Sequence, residues 1–266
     1  MIRQLILLLA LLISVGSWFT ANEALAEPEK MALIPAGKFE MGSRQSLKEL
    51  NPADLFNTDR HALGPEDPAH EVLLDDFYID IYEVTNAEYM EYVQATGVSK
   101  PQFSDDPDFN GATQPVVGIN WKQALKYCEW RQKRLPTEAE WEKAGRGKRP
   151  VNYPWGDDSP NSSLLNFDHE KGKTVPVGSY EGGKSDYGVY DLSGNVSEWV
   201  FDWHYPEFYL FSPKANPTGP EKGQYKVIRG GNWMNNADDV RLTYRNATVP
   251  KLQTRTIGFR CAKNVK

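Results

Sequence analysis

The segment from Asp191 to Glu198 is the strongest candidate for a metal site in this sequence. It carries a carboxylate at each end, with glycine and asparagine between them. Calcium prefers about six to eight oxygen ligands and takes them from carboxylates and backbone carbonyls. The segment therefore predicts a calcium site. The alternative is a tight turn whose carboxylates only accept hydrogen bonds from backbone N–H groups.

A second group of residues could form a ligand-binding surface, because it combines stacking rings with hydrogen-bond donors and acceptors. The alternative is that its tryptophans lie in the core and that Arg229 and Arg241 bridge buried carboxylates. The candidate residues are Trp199, Arg229, Asn232, Trp233, Asn235, Asn236, Arg241 and Tyr244.

Histidines offer a weaker case for a metal. The chain has four, at positions 61, 70, 169 and 204, and none shows ligand spacing. Hydrogen-bonding roles are expected, and convergence of the last three in the folded protein is left open.

The first 26 residues read as a signal peptide. A positive charge at Arg3 precedes an apolar run of about 15 residues and an Ala-Leu-Ala site. A membrane-spanning helix is the alternative, but it needs about 20 apolar residues. We therefore expect a periplasmic or secreted protein. No later segment is apolar enough to span a bilayer, so no membrane span is expected in the mature chain.

Charge and cysteine content narrow the function further. The formal net charge is −6 and no basic tract is present, which argues against a nucleic-acid partner. An oxidising compartment favours pairing of the two cysteines, Cys128 and Cys261. Two separate buried thiols are the alternative.

Local patterns predict the elements that must position these residues. Residues 31–42 indicate two short strands around a turn, and 77–82 a half-buried strand. A first helix is expected from a capping box at Thr85 to about Ala95. A second is expected from Asn120 to Arg134, with Cys128 on its buried face. A third is expected from a capping box at Thr137 through Trp141. After about residue 151, short strand-like pieces alternate with turns. One domain over 27–266 is the simplest interpretation.

Several blocks together resemble the formylglycine-generating, or sulfatase-modifying factor, domain family. The resemblance implies an α+β fold, a variant of the C-type-lectin-like fold with little regular secondary structure and bound calcium. It also favours the Cys128–Cys261 disulfide. The blocks lie at 34–37 with 41–42, at 82–86, at 134–142, at 153–156, at 190–199, and at 229–231 with 258–260.

The resemblance also implies specific calcium ligands. A second family calcium site would begin at Asn166 and Phe167, where the remaining ligands do not align. The first site would use the side chains of Asp191 and Glu198 and the carbonyls of Gly194 and Val196.

The copper-dependent members of the family use two cysteines, which align here with Asn235 and Val240. A carboxamide is a poor Cu(I) ligand and valine has no donor, whereas soft thiolates suit this ion. The family serine near that pocket is Asn232. Conversion of a sulfatase cysteine to formylglycine by that mechanism is therefore not expected.

These observations lead to a functional hypothesis. We expect an exported accessory or binding protein that recognises a peptide or small-molecule ligand. The alternative is a periplasmic oxidoreductase that acts in the maturation of a peptide or small molecule through a different active site, similar to the family's pyoverdine-maturation branch. A lectin-like structural module would fit the fold, but no specific motif favours it.

Overall fold

The computed structural model describes residues 30–43 and 66–265, so the predicted signal peptide lies outside the described residues. The described chain contains short strands and a few helices separated by long ordered loops. The strands are β1 (Met31–Ile34), β2 (Gly37–Met41), β3 (His70–Leu74), β4 (Phe77–Asp80), β5 (Ser197–Trp203), β6 (Lys226–Arg229), β7 (Arg245–Thr248), β8 (Ile257–Gly258) and β9 (Ala262–Asn264). The α-helices are α1 (Asn86–Thr96), α2 (Trp121–Trp130) and α3 (Glu138–Arg146), and 3-10 turns cover Glu181–Gly183 and Phe208–Leu210.

The strands form small sheets that bring distant parts of the chain together. A three-stranded antiparallel sheet has the order β1-β4-β9, and β2 pairs with β3 in a hairpin-like ribbon. The largest sheet has the order β7-β6-β5-β8 and is antiparallel except for the β5–β8 pair. Because β8 lies beside the start of β5, the C-terminal segment flanks the 191–198 loop.

The helix starts follow the local capping signals. Thr85, Asn120 and Thr137 each accept a hydrogen bond from the third helical residue, whose side chain reaches back to the cap. Helix α1 ends at Thr96, close to the predicted end at about Ala95, whereas the ends of α2 and α3 differ from the sequence prediction. Helix α2 stops at Trp130 rather than Arg134, because Gln132 is left-handed and Arg134 exchanges backbone hydrogen bonds with Ala262.

Helix α3 runs through the interior and continues past Trp141 to Arg146. All of its residues are buried, including the charged ones. Buried charges are costly unless they are paired. Glu138 meets Arg229 and Arg245, and Glu142 meets Arg229 and Arg146. The helix is therefore held by ion pairs as well as by Trp141 and the apolar core around it.

The predicted disulfide is present between Cys128 in α2 and Cys261 just before β9. The described chain contains both helices and sheets, which are joined by long loops. This composition confirms the predicted α+β class. Among the described helices, none has the length and apolar character needed to cross a membrane.

Candidate functional site

The 191–198 loop leads directly into β5 and is fixed by backbone contacts on both sides. Asp191, Gly194 and Asn195 have left-handed φ angles of 59°, 82° and 54°. Gly194 donates to the carbonyl of Gly230 at 2.9 Å, and Asn195 donates to that of Asn166 at 2.8 Å. A Cβ atom on Gly194 would lie 2.4 Å from the Asn166 carbonyl oxygen, so only glycine fits this position.

Glu198, at the end of the loop, is fully buried and heavily bonded. The Arg260 guanidinium donates to both carboxylate oxygens at 2.7 Å, and the Trp141 indole N–H donates to Oε2 at 3.0 Å. Oε2 thus has both lone pairs engaged, whereas Oε1 accepts one hydrogen bond and can accept one more partner. Glu198 could therefore serve as a metal ligand only through Oε1.

Glu83 completes the acidic cluster, although the sequence pattern singled it out only as part of a family block. It is 1% exposed and accepts hydrogen bonds from the Asn195 side chain at 2.8 Å and from the Val196 N–H at 3.3 Å. Burial, followed by the charges of Asp191 and Glu198, raises the pKa of Glu83 well above its usual value.

Asp191 is the third carboxylate of this cluster. Its Oδ2 accepts a hydrogen bond of 2.7 Å from the Gly178 N–H. Burial raises the pKa of Asp191 to about 6, although Gly178 and Arg260 act in the opposite direction. The carboxylates of Glu83, Asp191 and Glu198 are balanced by a single guanidinium, that of Arg260. Three carboxyl groups therefore surround one guanidinium, and the raised pKa values of Glu83 and Asp191 mean that these two groups bind protons more readily than usual.

The donor set of this cluster fits calcium better than a transition metal, because every candidate donor is an oxygen. Within residues 30–43 and 66–265, no three His, Cys, Asp or Glu side chains are arranged to hold a metal. An ion in the loop would therefore need backbone carbonyls, such as those of Gly194 and Val196, beside the carboxylates of Asp191 and Glu198.

Asn166 and Phe167 lie next to the same loop. The Asn166 amide donates to the Lys173 carbonyl at 2.9 Å and to the Asn195 side chain at 3.3 Å. Its Oδ1 atom is buried and has no hydrogen-bond partner within the protein, so this oxygen could serve as a cation ligand. Phe167 packs its ring beside a buried apolar cluster, so only its backbone carbonyl could bind an ion.

Three residues of the predicted ligand surface have structural partners instead. Trp199 is fully buried and donates to the Ile119 carbonyl at 3.3 Å. Arg229 is 1% exposed and pairs with two carboxylates of α3. Arg241 forms a bidentate pair with Glu66 at 2.8 and 2.9 Å. These contacts correspond to the structural alternative weighed from the sequence.

The other predicted ligand residues come together in the 232–235 loop. Asn232 donates to the Ser197 hydroxyl at 3.1 Å, which places this loop against the start of β5. Asn235 donates to Asp239 at 3.1 Å, and Trp233 is 8% exposed beside the half-exposed Met234. Of the remaining candidates, Asn236 accepts from the Asp238 N–H and Tyr244 is half-buried.

A neighbouring segment covers part of this loop. The backbone N–H groups of Asp168 and His169 donate to the carbonyls of Asn235 and Trp233, each at 2.8 Å. Both donors have left-handed φ angles, 52° and 59°. The 168–169 segment therefore lies against the ligand-surface candidates and narrows access to them.

Val240 has no access to solvent. It is 0% exposed and packs with Tyr153 and Leu165, beside Phe167 and Trp155. The chain has two cysteines in total, and they are bonded to each other. No free thiolate is therefore available anywhere in the chain while the disulfide is intact.

Comparison with known proteins assigns the same family as the sequence blocks described above. Residues 18–265 match the family described as the sulfatase-modifying factor enzyme 1-like domain. The chain belongs to this family. The formylglycine-generating enzyme of Streptomyces coelicolor is 30% identical, and the match covers 87% of this chain and 88% of that protein.

Other relatives of the family domain are longer proteins. A protein named serine/threonine-protein kinase pkn1 from Chlamydia caviae is 35% identical over 89% of this chain, but the match covers 38% of that protein. The hercynine oxygenase of Mycolicibacterium smegmatis is 30% identical over 88% of this chain and 61% of its own length. This chain thus spans well under half of the first relative.

Solved structures support the fold. PvdO from Pseudomonas aeruginosa matches with a TM-score of 0.70 and 28% identity, over 88% of this chain and 94% of that chain. Treponema denticola variable protein 1 matches with a TM-score of 0.66 and 23% identity, over 88% and 95%, which concerns the fold alone. The predicted sulfatase-modifying-factor fold, a C-type-lectin-like variant, is confirmed.

Proposed function

We propose that this protein is an exported, calcium-stabilised member of the family that binds a peptide or small molecule as an accessory protein, without copper chemistry. The observation that carries this proposal is that the chain has no free cysteine thiol while its disulfide is intact. Cys128 and Cys261 are joined to each other, and Val240 lies in an apolar cluster. Because the copper-dependent members of the family bind Cu(I) through two thiolates, the residues that would supply those thiolates are missing.

The calcium ion would be held by Asp191 and Glu198 together with the carbonyls of Gly194 and Val196. Calcium would supply positive charge to a cluster in which three carboxylates share the Arg260 guanidinium. It would hold the 191–198 loop against Gly230 and Asn166 and would take no part in electron transfer. A second ion at Asn166 and Phe167 is supported by the unpartnered Asn166 Oδ1 atom.

The ligand would contact the 232–235 loop. Asn232 and Asn235 offer amide groups there, the exposed Met234 adds apolar surface, and His169, whose ring packs against Trp233, adds a polar ring. Asn232 also contacts Ser197 at the start of β5. Calcium bound in the preceding loop would therefore stabilise the segment on which the ligand surface rests.

Elemental analysis of the mature protein, purified from a periplasmic extract without added metal or chelator, tests this proposal. Calcium in stoichiometric amount, without copper or iron, is the expected result. Stoichiometric copper or iron would overturn it. Recovery of the protein only from the cytoplasm, with residues 1–26 retained, would contradict the exported state.

A periplasmic oxidoreductase that acts on a peptide or small molecule is the second candidate. The similarity to a relative named hercynine oxygenase favours it. A metal centre built from three histidines would have to bring together His70, His169 and His204, which contact different parts of the chain. His70 lies against Tyr209, and His169 lies against Trp233. Oxygen consumption by the purified protein would favour this candidate over the first.

A further inference from the structure

A cavity of about 650 Å³ opens beyond the end of the four-stranded sheet, and neither the calcium loop nor the 232–235 loop contributes to it. Its walls come from residues 204–206 after β5, residues 222–225 before β6, and residues 245–247 in β7. It therefore lies beside the point where Trp203 pairs with Lys226, whereas the acidic loop lies at the other end of β5, beside Glu198.

The cavity walls are tied to one another by hydrogen bonds within the protein. The His204 N–H donates to the Tyr225 carbonyl at 2.9 Å. The Arg245 guanidinium donates to the Tyr205 carbonyl at 3.1 Å. Since each contact joins two of the three segments, the cavity is preformed and a ligand would lose little free energy by ordering it.

Two exposed tyrosines line the cavity. Tyr205 is 47% exposed and Tyr225 is 45% exposed. Tyr205 packs against Phe211, which is itself 61% exposed, with ring centroids 5.8 Å apart. Large exposed rings grouped around a concavity are typical of a binding site, because they offer apolar area and a face for stacking.

The charges of the cavity are of one sign. Lys222 and Arg245 line it, and no acidic residue does. Glu207 and Glu221, which are close in sequence, lie outside the lining. Burial, followed by the charge of Arg245, lowers the pKa of His204 to about 4, so this imidazole is neutral at pH 7. It can therefore donate or accept a hydrogen bond without adding charge.

The Arg245 guanidinium is buried and paired inside the protein. Arg146, Arg229 and Arg245 share the carboxylates of Glu138 and Glu142. Their charges are therefore engaged within the core, and Lys222 is the exposed cation of the cavity lining.

We propose that this cavity binds a small ligand that combines a flat aromatic ring with an anionic group. The ring stacks against Tyr205 and Tyr225, and the anionic group faces Lys222. Asn246 and His204 are placed at the same opening and supply polar contacts. This site is separate from the surface of the proposed function and does not depend on calcium.

Titration of the mature protein with 2-naphthoate, followed by calorimetry, tests the site. The neutral 2-naphthylmethanol has a similar ring and serves as the matched ligand. We expect the carboxylate to bind about tenfold more tightly than the alcohol, which corresponds to a charge-assisted contact. Equal affinity for both, or no binding of 2-naphthoate, would overturn the proposal.

Variants locate the binding. Lys222→Gln should weaken 2-naphthoate about threefold or more and leave 2-naphthylmethanol unchanged, because it removes charge only. Tyr225→Ala should weaken both ligands about tenfold, because it removes stacking surface. Lys100→Gln, at an exposed lysine outside the cavity, is the control and should change neither. If Lys222→Gln and Tyr225→Ala behave like this control, 2-naphthoate binds elsewhere and the assignment fails.

Discussion

Glu198 and Arg260 are joined by two hydrogen bonds of 2.7 Å, and neither side chain is exposed to solvent. The pair ties the start of β5 to the segment before β9. It also limits how Glu198 could bind the predicted calcium ion, because both of its carboxylate oxygens already accept hydrogen bonds from a guanidinium. A calcium ion there would be one of two cationic partners of Glu198.

The first prediction concerns this pair. Glu198→Gln keeps the shape of the side chain but leaves Arg260 with less compensating charge, and it should lower the free energy of unfolding by about 3–5 kcal/mol. Chemical denaturation would measure the loss. Glu71→Gln, at an exposed pair with Lys38, is the control and should cost less than about 1 kcal/mol. Equal effects of the two substitutions would contradict a special role for the buried pair.

The second prediction concerns calcium. Removal of calcium with EGTA should lower the melting temperature, and calcium at about 100 times its Kd should restore about 2.7 kcal/mol. Differential scanning calorimetry would record the shift, with magnesium as the control ion. Asp191→Asn should abolish most of the shift, because it removes one carboxylate of the loop. A melting temperature that is the same in EGTA and in calcium would rule out a stabilising ion.

The third prediction concerns the disulfide. Cys128 and Cys261 are separated by 133 positions, so the bond closes a long loop in the unfolded chain. The chain-entropy relation gives a stabilisation of about 5 kcal/mol for a loop of this length. The double variant Cys128→Ala/Cys261→Ala should lose a stability of this order, and a reducing agent should destabilise only the wild-type protein. A loss below about 1 kcal/mol would show that the bond contributes little.

The fourth prediction concerns pH. Burial, followed by the charge of Glu138, raises the pKa of Asp202 to about 8. A raised folded-state pKa means that the folded protein holds a proton that the unfolded chain has released. The stability contributed by Asp202 is complete below about pH 4 and is lost as the pH rises through about 8, at about 1.4 kcal/mol per pH unit.

Asp202→Asn tests this pH dependence, because asparagine does not titrate. Asp202 accepts a hydrogen bond of 2.8 Å from the Glu138 backbone N–H, and the asparagine side chain still offers an oxygen to that donor. The difference in unfolding free energy between wild type and variant should change steadily from pH 5 to pH 8, with the wild type relatively less stable at the higher pH. Parallel stability curves over this range would disprove the raised pKa.

Local sequence determined the starts of the three α-helices and the end of α1, but not the ends of α2 and α3. Thr85 and Thr137 form capping boxes with side chains three residues away, so a short segment contains all the information. Helix α2 ends early because Arg134 pairs with Ala262, which is remote in sequence. No local pattern could reveal that competition.

The sequence by itself determined the family, the α+β class and the presence of only two cysteines, because these depend on residue identity and short-range spacing. Only the tertiary structure decided which charges share a buried space. Glu83 meets Asn195 across 112 positions, and Arg229 meets Glu138 across 91. A buried charge is stable only beside its partners, and those partners are chosen by the packing of the whole chain rather than by neighbours in sequence. For this reason the sequence leaves Arg229 open between a ligand residue and a bridge between buried carboxylates, and the folded protein places it in the core as such a bridge.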